Sequence, residues 1–219
     1  MTVILTCSSL KDHVDAAQKA MGTDLPVVVL DRSDHVEPAR MQASVLRAID
    51  GLVKEYPEDL TVLVSMGFCG GSWDKVKVPC RLMIPRIDDC ISLLLQTTDE
   101  PVSNLKKQDH LYVKDKDPSK ENFKSIFDHL TKDIDEDTKK RYHEDWMRYY
   151  REIDIIETEV NDSRRPEYAE TVKKDADWLQ AEMAYVPGGT HLLEKLISGN
   201  WDEQFMVFEP GEITGNILI

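Results

Sequence analysis

The chain has 219 residues, with 27 Lys and Arg against 41 Asp and Glu, a formal net charge of −14. So acidic a chain lacks the clustered cations that phosphate backbones or anionic membrane surfaces require, which sets nucleic acid and membrane aside as partners. Hydrophobic residues make up 41 %, enough for a real core, and the length suits one domain with room for an insertion. No apolar run approaches the ~20 residues needed to span a bilayer. The opening Met1-Thr2-Val3-Ile4-Leu5-Thr6 has no basic region of the signal-peptide kind, so a cytoplasmic location is expected.

In chain order, Val3-Ile4-Leu5 reads as a short strand ending at Cys7, followed by a helix with Val14, Ala17 and Met21 on one face. Leu25–Leu30 is the second strand. Pro38 suits a helix first turn, and Val45, Leu46, Ile49, Leu52 and Val53 form that helix's apolar stripe. Leu60–Met66 is the third strand and runs into Gly67-Phe68-Cys69-Gly70-Gly71. Arg81–Pro85 is the fourth, running into Arg86-Ile87-Asp88-Asp89-Cys90 and a helix with Ile91, Leu94 and Leu95. Near-continuous apolar strands alternating with helices predict an α/β fold. Its sheet is mostly parallel with helices on both faces, in a doubly wound, Rossmann-like or flavodoxin-like order.

Residues 97–151 are more charged, and the reading there is a helical insertion. One helix starts after Asp117-Pro118 and carries Phe123, Ile126, Phe127 and Leu130; the other carries Tyr142, Trp146, Tyr149 and Tyr150. A lid over the sheet and a plain surface hairpin are both compatible with that pattern. The α/β rhythm then resumes with a strand at 153–158, a helix from Pro166 to Leu179, a strand at 183–187, a helix after Gly188-Gly189-Thr190 that Gly199 ends, and a last strand at 205–208. The expectation is therefore a single α/β domain, 1–219, with the insertion at 97–151.

Ligands of such sheets bind outside the carboxyl ends of the strands. Cys7, Cys69 and Cys90 all follow strands, so their loops share that edge, whereas Cys80 precedes a strand and belongs to the opposite edge. Three readings follow: a metal held by three thiolates, zinc first and an iron–sulfur cluster as the alternative; a redox thiol pair; or small buried hydrophobes. There is no CxxC, and the spacings are long. Cys90 opens a helix, where the macrodipole favours thiolate, and Asp89 is a natural N-cap. Asp88 is a candidate general base. Arg86 is a candidate for gripping an anionic substrate, and a structural ion pair serves it equally well. His191 is a candidate fourth metal ligand, or a plain solvated histidine. Gly188, Gly189 and Thr190 offer amide hydrogens to an anion or cofactor, or form an ordinary strand-to-helix turn. The chain has no Walker loop, no GxGxxG after the first strand and no GxSxG, which argues against a P-loop NTPase, a typical dinucleotide dehydrogenase and an α/β-hydrolase.

Gly67-Phe68-Cys69-Gly70, Pro85-Arg86-Ile87-Asp88-Asp89-Cys90 with its Leu93-Leu94-Leu95 tail, and Trp201-Asp202 with Pro210-Gly211 together resemble the G-x-C-G, P-R-x-D-D-C and W-D…P-G blocks of an uncharacterised bacterial and archaeal family, domain of unknown function 1638. The resemblance runs from Cys7 to Gly211 and carries the family's cysteines onto Cys7, Cys69 and Cys90. It departs where Gln96-Thr97-Thr98 replaces the family's frequent Gly-Ser. Members often lie beside corrinoid-dependent methyltransferases. The resemblance therefore implies a role in one-carbon metabolism, with a corrinoid protein or methyltransferase as partner and a small-molecule substrate. The role is that of a metal-dependent methyltransferase-type enzyme or of a non-catalytic accessory or regulatory protein. A homo-oligomer is compatible with all of this.

Overall fold

A computed structural model describes residues 1–69 and 71–214. The chain divides into two compact units, Met1–Leu105 with Gly189–Ile219, and Lys106–Gly188.

The first unit contains β1 (Thr2–Cys7), α1 (Lys11–Met21), β2 (Val27–Leu30), α2 (Pro38–Glu55), β3 (Thr61–Val64), β4 (Arg81–Pro85) and α3 (Cys90–Leu95). After the second unit it resumes with α7 (His191–Ser198) and β8 (Phe205–Phe208). Its sheet has the order β2-β1-β3-β4-β8, with the first four strands parallel and β8 antiparallel to β4. Alternation along the strands sorts the side chains. Val3, Leu5, Val62, Val64, Leu82 and Ile84 face Met41, Val45, Ile49 and Leu52 of α2. The alternate residues Ile4, Leu63 and Met83 are fully buried on the other face, where α1 and α7 pack together and touch β1 and β4. Each such aliphatic side chain contributes roughly 1.5–3 kcal/mol on burial, so both helix layers are held by the sheet. Gly199 ends α7 at φ +80°, a left-handed position that glycine takes at little cost.

The second unit contains β5 (His110–Val113), α4 (Phe123–Leu130), α5 (Glu136–Tyr149), β6 (Glu152–Glu157), α6 (Pro166–Leu179) and β7 (Glu182–Pro187). Its three strands form a separate parallel sheet in the order β5-β6-β7. One face, with Leu111, Val113, Ile153, Ile155, Met183 and Tyr185, packs on Phe123 and on Tyr168, Val172, Ala176 and Leu179 of α6. The other face carries His110 and Tyr112 beside Glu152 and Asp154, residue opposite residue.

The α/β architecture with mostly parallel sheets is as the sequence implies. Two particulars differ. The 97–151 segment holds a strand besides its helices, and the strands at 152–157 and 182–187 pair with that strand rather than extending the first sheet. The reason is pairing: β5 supplies the neighbour β6 needs, so the later βαβ unit closes locally. None of the described helices is long and apolar enough to cross a membrane.

Asp175, buried on α6, accepts hydrogen bonds from the Phe123 and Lys124 amides at 2.7 and 3.3 Å, fastening the start of α4 to α6. Asp175→Ala strands both donors. Urea unfolding should show a loss of about 1–3 kcal/mol, and Asp175→Asn, which keeps a carbonyl acceptor, a smaller one.

Candidate functional site

In the order β2-β1-β3-β4 the chain first winds outward from β1 to β2, then returns past β1 to β3. The crevice at the carboxyl ends of β1 and β3 is thus the topological switch point of the sheet, where ligands of open α/β folds bind. Cys7 is the last residue of β1, and Cys69 follows β3.

Cys7 pairs in register with Leu30 of β2, so the loop after β2 runs beside it. That loop is a 3-10 turn, Arg32–Val36, whose Asp31 side chain accepts from the Ser33 amide at 2.8 Å. It delivers the imidazole of His35 to the Cys7 thiol. The Ser9 hydroxyl donates to Cys7 Sγ at 3.3 Å. Burial pushes the Cys7 thiol up, but hydrogen bonds from His35 and Ser9 and the charge of His35 outweigh it, and the net direction is down.

Cys69 sits on a turn welded to the loop after β4. The Phe68 amide donates to the Ile87 carbonyl at 3.0 Å and the Cys69 amide to the Asp88 carbonyl at 2.8 Å. The approach is so close that a Cβ on Gly67 would lie 2.6 Å from the Asp89 nitrogen. Cys69 itself is left-handed, φ +45°, an uncommon state for a side chain with a Cβ. Burial pushes the Cys69 thiol well up, and the charges of Cys90, Asp89 and Cys7 push the same way. All three thiols are therefore within electrostatic reach of one another's neighbourhood at Cys69. Cys90 opens α3, capped by Asp89, whose carboxylate accepts from the Ile91 and Ser92 amides at 2.9 and 3.1 Å.

The expected three-cysteine metal site is not formed. Among the described residues, the one group of three His, Cys, Asp or Glu side chains whose ligand atoms lie within 4.8 Å of each other is His110, Glu152 and Asp154. The sulfurs of Cys7, Cys69 and Cys90 do not close to that distance, so the three cysteines do not gather into one metal site. The reason is local: Cys7 is held by Ser9 and His35, Cys69 by the weld, and Cys90 by the cap. The signal for the histidine group lay in sequence alternation, Glu152-Ile153-Asp154 on one strand and His110-Leu111-Tyr112 on another, rather than in any spacing along the chain. None of the four cysteines is in a disulfide. Cys80 is buried in the core, and burial pushes its thiol up to about 11. It borders a 540 Å³ cleft at the amino edge of the sheet, across which Arg81 and Glu209 pair at 3.0 Å.

The remaining residues singled out from the sequence are placed as follows. Asp88 Oδ1 accepts from the Asp89 amide at 2.8 Å, and its own amide donates to the Ser103 carbonyl at 2.9 Å. Arg86 is exposed, with Nε donating to the Glu203 carbonyl at 3.2 Å. His191 Nε2 lies 3.1 Å from Asp99, in a network where Lys195 binds Asp99, Asp202 and Gln204. The Gly188 amide donates to the Glu157 carbonyl and the Gly189 amide to the Leu94 carbonyl, while the Thr190 hydroxyl donates to Glu194 at 2.5 Å. Gly70 lies outside the described residues.

The left-handed backbone of Cys69 gives a direct test. Cys69→Gly and Cys69→Ala both remove the thiol, but only glycine relieves the backbone. Chemical denaturation should find the glycine variant more stable than the alanine variant by about 1 kcal/mol. Gly67→Ala should lose several times that, since the atoms it meets are backbone.

No curated protein matches the chain, and no solved structure matches it. A family model described as Protein of unknown function (DUF1638) matches residues 29–197, more than half of the chain. The match includes the Cys69 and Cys90 turns and leaves Cys7 before its start. The chain belongs to the DUF1638 family of proteins of unknown function.

Proposed function

We propose that this protein carries out thiol-based group transfer at the carboxyl edge of its five-stranded sheet, with Cys7 as the nucleophile. The observation that carries this reading is the Cys7–His35 pair at the switch point of the sheet, with Ser9 donating to the same sulfur. A thiolate is the reactive form of cysteine, and a neighbouring imidazole and hydroxyl stabilise it. Cys69, its neighbour, is driven the opposite way and stays protonated. Two titratable groups whose pKa values are pushed apart divide the roles of base and acid between them.

The step this arrangement supports is a displacement at carbon. The Cys7 thiolate forms a carbon–sulfur bond while the bond to the leaving group breaks, and the leaving group departs with the electron pair. The Cys69 thiol supplies a proton where the leaving group needs one. Cys7 is buried while Cys69 and Cys90 are part-exposed, so the donor enters from their side. Asp88 is a positioning residue, holding Asp89 and Cys69 through its side chain and its carbonyl. A methylated corrinoid protein is a donor of the required kind, and it is the partner that the family resemblance implies.

Thiolate absorbance in the ultraviolet tests the reading without requiring reagent access. The difference titration between the native protein and Cys7→Ser should place Cys7 below the ordinary cysteine value of about 8.5, and His35→Ala should move it upward. At neutral pH, iodoacetamide or methyl iodide should modify Cys7 well ahead of Cys80. A Cys7 that titrates at or above a free cysteine, or that ignores His35→Ala, sinks the proposal.

A further inference from the structure

The second unit holds a polar cluster that the thiol chemistry does not use. His110 and Glu152 are the first residues of β5 and β6 and stand opposite each other in register, and Asp154 is two residues on, on the same face. His110 Nδ1 lies 2.8 Å from Asp154 Oδ2, and His110 Nε2 lies 3.6 Å from Glu152 Oε2. The ligand atoms of the three residues lie within 4.8 Å of one another. His110 and Asp154 are not solvated surface groups: their side chains are 7 % and 2 % exposed, while that of Glu152 is 28 % exposed.

A second, independent observation points to a ligand. Among the described residues no donor meets buried Asp154 Oδ1 in hydrogen-bond geometry, although the Tyr112 hydroxyl, opposite in register, acts on the same carboxylate. A buried carboxylate oxygen without a donor is costly, and buried charges are normally paired or coordinate metals. A buried carboxylate and a part-exposed one, with a single imidazole between them, make a set that one divalent cation would neutralise.

We propose that His110, Glu152 and Asp154 bind one divalent transition-metal ion, with zinc as the ion, and that it pins the edge strand β5 to β6. The donor set is one imidazole nitrogen and carboxylate oxygens, with no sulfur. That set fits zinc, and manganese more weakly by the usual affinity order, and it does not fit the soft metals that select thiolates. Asp109, whose Oδ1 lies 3.6 Å from His110 Nε2, or a water completes the coordination. The site lies at the amino ends of parallel strands, so its role is to fasten the sheet; the reactive edge of such sheets is the opposite one. Among the described residues β5 pairs with β6 alone, so a bond across to β6 acts at the edge of the sheet.

The test uses the full chain stripped with a chelator and then titrated separately with zinc, manganese and cobalt(II) chlorides. One equivalent of zinc should bind, and thermal unfolding should shift upward with zinc concentration. Cobalt in the site should show d–d absorption without the thiolate-to-metal charge-transfer band that binding at Cys7, Cys69 or Cys90 would give. The equivalent should persist in Cys7→Ser/Cys69→Ser/Cys90→Ser. His110→Ala and Glu152→Gln should each weaken it at least tenfold, and Glu152, the most exposed of the three, decides the matter if circular dichroism shows His110→Ala unfolded. No bound equivalent, a thiolate charge-transfer band, or unchanged affinity in folded Glu152→Gln overturns the proposal. The bound equivalent in the triple Cys→Ser variant and the affinity of Glu152→Gln are read independently of Cys7.

Discussion

The weld between the turn after β3 and the turn after β4 is the constraint on which the candidate site depends. Parallel strands bring their carboxyl ends to one edge, but that places loops only to within several ångströms. The two hydrogen bonds from Phe68 and Cys69 to the Ile87 and Asp88 carbonyls fix the remainder, and they require Gly67, because any Cβ there would collide with the backbone at Asp88–Asp89. The cost is taken up next door, in the left-handed Cys69. Backbone strain of this kind persists only where the surroundings over-determine it, and it clusters at functional sites. The same loop then starts α3, so one pair of hydrogen bonds sets Cys69, the Asp89 cap and Cys90 together.

Sharing an edge does not make the three thiols alike. A metal held by three thiolates needs three deprotonated sulfurs converging on one point. Here the donors of His35 and Ser9 draw Cys7 toward thiolate, while burial and neighbouring negative charge drive Cys69 toward thiol. Each sulfur is also tied to its own segment of backbone, so convergence would require the weld or the cap to yield. Divergent acidity is what a nucleophile with a protonated neighbour requires.

Strands β1 to β4, the helices between them and the edge shared by Cys7, Cys69 and Cys90 were legible because apolar runs and helical stripes are local, and parallel connectivity then fixes which loops coincide. The distances between the sulfurs were not legible, since turn geometry of a few ångströms decides them. β5 escaped for a different reason. His110-Leu111-Tyr112-Val113 is four residues with only alternate apolar positions, flanked by charge, and its identity as a strand depends on pairing with β6 some forty residues later. With β5 missing, β6 and β7 had no partner other than the first sheet. His35 was missed as well: it shows no motif with Cys7 in sequence, and the β1–β2 register alone brings the two together. His191 shows the converse, a residue whose place beside a glycine turn suggested a ligand and whose imidazole lies against Asp99 in the Lys195 network.

The histidine cluster makes the same point about pairing with a sharper energetic edge. Along the chain His110 is far from Glu152 and Asp154, so no ligand spacing marks it. Across the β5–β6 ladder they become neighbours on one face, while Leu111, Ile153 and Ile155 point to the core beneath α6. Selection for packing alone would place apolar residues on both faces of a strand buried as deeply as β6. The polar alternation there leaves a carboxylate oxygen without a donor, a penalty of about 1–3 kcal/mol or more. The His110 imidazole answers for one oxygen of Asp154 and leaves Oδ1 as it was. A cation shared with Glu152 answers for both carboxylates at once, which is why the charge balance of this face favours a bound ion over an internal ion pair.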